Sequence, residues 1–125
     1  MATLRAYAGE LPQRKTLVVL ANEPRAYRES IAQVFRQLRP NVEVLITEPQ
    51  QLEERILELS PEMVIYSEAT TTPGLVRERV PVWVELYPGY GSRSVVGVGE
   101  ERSTIDEIQL SDLLSVVDHA QRLAH

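Results

Sequence analysis

The stretch TLVVLANEPRAYRESIAQVFRQLRP, Thr16 to Pro40, decides the fold. Thr16 to Ala21 is an apolar run too short for a helix, with β-branched Val18 and Val19, and it suits a central strand buried on both faces. The polar turn Ala21-Asn22-Glu23-Pro24 follows at once. Pro24 fits a first helical turn, where its missing N–H costs least, with Asn22 or Glu23 as the cap. Tyr27, Ile31, Val34, Phe35 and Leu38 then form one apolar stripe, and Arg25, Arg28, Arg36 and Arg39 lie off it. A buried strand feeding an amphipathic helix is the opening unit of a parallel α/β sheet.

Working outward, Val42 to Thr47 reads as an edge strand. Thr47 and Gln50 have capping-box spacing ahead of a helix whose stripe is Leu52, Ile56 and Leu59. Met63 to Ser67 is a third strand. The polar loop Glu68 to Gly74 and at most two helical turns up to Arg79 make a short third crossover. Val82 to Tyr87 alternates as a fourth strand. The turn cluster Pro88 to Ser92 can reverse the chain but leaves no room for a helix, so Arg93 to Val98 must run antiparallel to the fourth strand. Gly99-Glu100-Glu101 is a hairpin turn, and Arg102 to Ile105 returns as a sixth strand. Ser111 is the expected cap of a last helix with stripe Leu113, Val117, Ala120 and Ala124, widened by Leu114 and Val116. The predicted strand order is 2-1-3-4-5, with the hairpin at the edge in place of a fourth crossover helix. Residues 1–14 read as a weakly ordered lead-in, with a short docked segment around Leu4 to Tyr7, and residues 15–125 as one domain.

Composition narrows the function. A chain of 125 residues can bury a core without staples. With no cysteine there is no disulfide framework, thiolate metal site or cysteine nucleophile, and the expected setting is the cytoplasm. The net charge of −5 speaks against nucleic acid, which binds largely through phosphate neutralisation. No apolar run approaches the roughly 20 residues of a membrane span.

LVVLANEPRAYRES and PEMVIYS resemble, in sequence and spacing, the first and third strands of a receiver domain of two-component signalling. The resemblance covers Lys15 to Tyr87 and the last helix, and it implies a flavodoxin-like, three-layer sheet. It also implies where the chemistry would sit. The acidic pair that holds Mg²⁺ falls on Ala21 and Asn22, and only Glu23 beside them keeps a charge. The phosphoacceptor position falls on Ser67, whose unactivated hydroxyl does not replace a carboxylate. The switch hydroxyl falls near Leu86 or Tyr87, and the lysine after the fifth strand is missing. The resemblance is thus to a degenerate pseudo-receiver that is not phosphorylated, not an enzyme and without cofactor or metal.

Asn22, Glu23, Ser67, Thr70, Thr71 and Thr72 could line a small-ligand crevice at the carboxyl ends of strands one and three, where open α/β sheets bind ligands. Helix capping and loop hydrogen bonding are the plainer roles for the same side chains. His119 has no second ligand at metal spacing. The stretch VWVELYPGY stands where a crossover helix is missing, so one face of strand four is expected to be bare and to form a homodimer interface through Val82, Trp83, Val84, Tyr87, Tyr90 and Arg102. Glu85 would then need an arginine such as Arg93 or Arg102. An unidentified protein partner is the other expected contact.

Overall fold

In a computed structural model that describes residues 15–67, 73–87 and 91–124, the apolar run becomes β1 (Thr16–Ala21), with every residue buried. Its residues alternate between two apolar clusters, Val18 and Leu20 in one and Leu17, Val19 and Ala21 in the other. A strand buried on both faces has to sit inside the sheet. β1 lies between β2 (Val42–Ile46) and β3 (Met63–Tyr66), parallel to both. β4 (Val82–Glu85) pairs parallel with β3. β5 (Arg93–Val98) and β6 (Glu101–Asp106) then add antiparallel. The order is β2-β1-β3-β4-β5-β6, as the linker lengths predict. The β5–β6 turn is Gly99-Glu100, with Gly99 at φ 61°, and β6 begins one residue earlier than the sequence suggests. Glycine at the first turn position supplies the positive φ that matches the strand twist.

Helices cover both faces. On one side α1 (Arg25–Leu38) and α4 (Leu110–Ala124) bury Ile31, Ala32, Phe35, Leu113, Val116, Val117 and Ala120 against Val18, Val84 and Val96. On the other, α2 (Leu52–Leu59) and α3 (Pro73–Arg79) bring Leu52, Ile56 and Val76 onto Val19, Val64 and Trp83. Among the described residues no helix is long and apolar enough to cross a membrane.

Several local expectations fail for physical reasons. The buried residues of α1 are Arg28, Ile31, Ala32 and Phe35, so the stripe is rotated, and Leu38 is exposed. Pro24 is itself the cap position in extended conformation, and neither Asn22 nor Glu23 caps the helix. No capping box forms at Thr47, because Pro49 opens a 3-10 turn (Pro49–Gln51) ahead of α2 and the Thr47 hydroxyl is buried. Ser111 lies inside α4. Asp112 instead reaches back to accept the Gln109 N–H at 2.8 Å, a charged acceptor at the positive end of the helix. Ala124 is exposed.

The expected bare face is also corrected. Val82, Trp83 and Val84 are buried inside the chain. Trp83 pairs with Gly97, which has no side chain to hold the indole off the sheet. Arg77 from α3 and Arg102 from β6 lie over the ring at 5.0 and 5.7 Å and add two guanidinium groups to the cover that Val76 of α3 gives it.

Candidate functional site

The ends of β1, β3 and β4 converge on one edge, and Ser67 ties them together. Its hydroxyl accepts the Glu23 N–H at 3.0 Å and donates to the Leu86 carbonyl at 3.3 Å. Leu86 N–H in turn donates to Tyr66 O at 2.8 Å, which continues the β3–β4 ladder. Ala21 and Asn22 are fully buried, while Glu23 is exposed. Both polar atoms of the Asn22 amide lack a hydrogen-bond partner. Buried polar groups are nearly always bonded, so this side chain is an exception that calls for a cause.

A second exception lies on α1. Arg28 is 1% exposed, and its Nε and Nη1 have no partner. Its Nη2 reaches Glu48 Oε2 only at 3.5 Å, and that carboxylate is half exposed. Thr47, whose N–H donates to Leu20 O, precedes Glu48 and carries a buried, unpartnered hydroxyl. Asn22 follows β1 and Thr47 follows β2, each at its strand's carboxyl end, and Arg28 lies in the first turn of α1. Sequence reading missed Arg28 by placing it off the stripe. The signal was present, since Arg28, Ile31, Ala32 and Phe35 fall at i, i+3, i+4 and i+7.

The neighbouring polar group is fully paired. Glu85 ends β4 and is buried, and it accepts from Arg77 Nη2 at 2.9 Å, Tyr87 Oη at 3.1 Å and Tyr66 Oη at 3.2 Å. Arg77 is therefore the partner of Glu85, in place of Arg93 or Arg102. Burial first, and then the Glu85 charge, pushes the Tyr66 phenol up to about 12. Burial by itself would lower the Arg77 guanidinium, but its bonds to Tyr66 and Glu85 raise it overall. Arg93 pairs with Asp106 on the surface instead.

With this geometry in view, the chain was compared with known proteins. No protein-family model, curated protein or solved structure matches it. What the edge can do therefore rests on its own chemistry. It offers an amide, a guanidinium and two hydroxyls, with Glu23 and Glu48 as flanking carboxylates. Among the described residues no group of three or more His, Asp or Glu is placed to hold a metal. His119 sits exposed on α4 beside Arg122, at 2.9 Å. Of the other candidate residues, Tyr87 is half-buried and Arg102 exposed. Thr70, Thr71, Thr72 and Tyr90, like residues 1–14, lie outside the described residues.

Proposed function

We propose that this chain is a receiver-like, flavodoxin-like interaction module that works without phosphorylation and pairs with a second copy through β6. The Ser67 hydroxyl supports the first half of this reading. At the phosphoacceptor position of the resemblance it is engaged as both donor and acceptor, and it holds strand ends together rather than standing ready to attack. The absence of cysteine throughout the chain fits a cytoplasmic setting for such a module.

The observation that carries the pairing is the outer strand itself. β6 is six residues long, closes the hairpin side of the sheet, and exposes every side chain but the half-buried Ile105. Arg102, Thr104 and Asp106 alternate onto one face. An antiparallel pairing centred on Thr104 places Arg102 opposite Asp106 of the partner subunit, and the twofold axis repeats the pair. Interface residues Val82, Trp83 and Val84 are replaced in this reading by the strand edge, with Arg102 retained.

Sedimentation equilibrium at micromolar concentration tests it. Wild-type protein should sediment as a dimer and Thr104→Pro, which removes an edge donor on an exposed strand, as a folded monomer. A wild-type monomer would overturn the pairing, as would an unchanged dimer in the proline variant.

A further inference from the structure

The outer strand on the other side of the sheet, β2, is open on one face. Its side chains alternate. Val42 and Val44 pack in the cluster beneath α1, while on the opposite face Glu43 is exposed and Leu45 is partly buried. That second face falls to α2, which has eight residues and ends at Leu59. Leu17 of β1 lies beside Glu43 in the register. The result is a groove of about 540 Å³, floored by Leu17, Leu45 and Leu59 and bordered by Lys15, Glu43 and Glu58. Its size falls within the roughly 300–1,000 Å³ of ligand-sized clefts.

The charged side chains at this groove are all exposed, so it selects by apolar contact, with two carboxylates against one ammonium at its border. Strand addition along the outer edge of β2 is hindered. Arg39 O accepts the Val42 N–H and Arg36 Nη2 donates to Val44 O, both at 3.0 Å. An occupant is therefore offered the leucine floor and not a free ladder.

The chain itself supplies a match. Residues 1–14, MATLRAYAGELPQR, run directly into Lys15 at the groove's border, and they carry two arginines against one glutamate. Tyr7 stands eight positions before Lys15, a reach of at most about 28 Å, against roughly 17 Å for the five residues of β2. Gly9 and Pro12, between them, are residues that suit a reversal of the chain. A tether this short sets an effective concentration on the order of millimolar, which favours the segment over a diffusing partner of the same chemistry.

We infer that the groove receives the segment Leu4 to Tyr7 of the same chain. Leu4 and Tyr7 lie on the leucine floor, and Arg5 faces Glu43 and Glu58. The groove is at the opposite edge of the sheet from β6, so its test succeeds or fails independently of sedimentation.

Nuclear magnetic resonance of the full chain tests the contact. Proton NOEs should link the Tyr7 ring and the Leu4 methyls to the methyls of Leu45 and Leu59. Mixing isotope-labelled with unlabelled chain separates contacts within one molecule from contacts between two, and the expected ones are within. Trypsin cleavage after Arg5 under native conditions, read by mass spectrometry, gives the magnitude. Leu59→Gln places a good helix former at the exposed end of α2 and leaves the fold intact. It should speed that cleavage about three- to sixfold, because the docked segment covers the 38% of Leu59 that is otherwise exposed. The inference is overturned if these NOEs are missing, if they arise only between molecules, or if Leu59→Gln is cut after Arg5 at the wild-type rate.

Discussion

Replacing Gly97 with alanine tests how the outer sheet is covered. Gly97 lies opposite Trp83, and a Cβ built on it would sit 2.5 Å from both Cζ2 and Nε1 of the indole, closer still to Cε2. Restoring ordinary contact requires the ring to move by about 1 Å. The ring cannot slide freely, because Tyr66 lies 6.3 Å away by centroid and Arg77 and Arg102 lie over it. Overpacking of this kind costs about 1–3 kcal/mol, and loosening two cation–π contacts adds up to about 0.5–1 kcal/mol each. Alanine recovers roughly 0.5–1 kcal/mol through lower unfolded-chain entropy. The net expectation is a loss of about 2 kcal/mol. At about 2.1 cal/mol/K per residue for a chain of 125 residues, that lowers the midpoint by about 8 °C. Calorimetry or circular dichroism melts measure it. A Gly97→Ala protein more stable than wild type would refute the reasoning, since that is the result for a strand glycine with open space above it. Trp83→Leu in the same chain should recover part of the loss.

Other perturbations follow from the same contacts. Tyr66 holds its proton to about pH 12 when folded, above its ordinary value of 10, so the folded state binds that proton more tightly. Stability from this group is therefore complete below about pH 10 and lost as pH rises towards 12, and Tyr66→Phe should flatten that decline in alkaline urea titrations. Arg39 Nε and Nη2 hold both oxygens of Asp118 at 2.7 and 3.0 Å, pinning the end of α1 to α4. The hydrogen bond from Arg39 lowers the Asp118 carboxyl, so its contribution is present above the unfolded value near 4 and fades as pH falls below it. Asp118→Asn should cost about 1 kcal/mol or less, because the pair is partly exposed. Arg28→Met should raise the unfolding midpoint by removing a poorly balanced buried charge. A clear destabilisation would mean that the guanidinium is better paired than its geometry indicates.

The strand order was legible because it depends on lengths and periodicities local to the chain. The continuous apolar run at β1 and the short Pro88 to Ser92 linker sufficed to place six strands. Cover and pairing were less legible because they depend on contacts between distant segments. Counting helices left a face of β4 bare, whereas in the fold one indole lies on one glycine beneath two arginines. Glu85 was recognised as needing an arginine, but Arg77 is eight residues away in sequence and comes near only through the turn of α3. At the candidate site Asn22, Glu23 and Ser67 were found by their place at the strand ends. Arg28 was missed because a charged residue is ordinarily read as solvent-facing, even where its spacing sets it on the buried stripe. Caps were the weakest local reading, since Pro24, Pro49 and Asp112 compete for positions where a serine or asparagine alone would suggest a different residue.

The claim on which the functional account rests is that this strand edge is inert towards phosphoryl transfer. Incubating the full chain with acetyl phosphate and Mg²⁺ at physiological concentration, followed by intact-mass spectrometry, tests it most directly. The account predicts an unchanged mass, with Ser67 still bridging Glu23 and Leu86. A stable phosphoryl adduct, mapped to Ser67 or its neighbours, would contradict it.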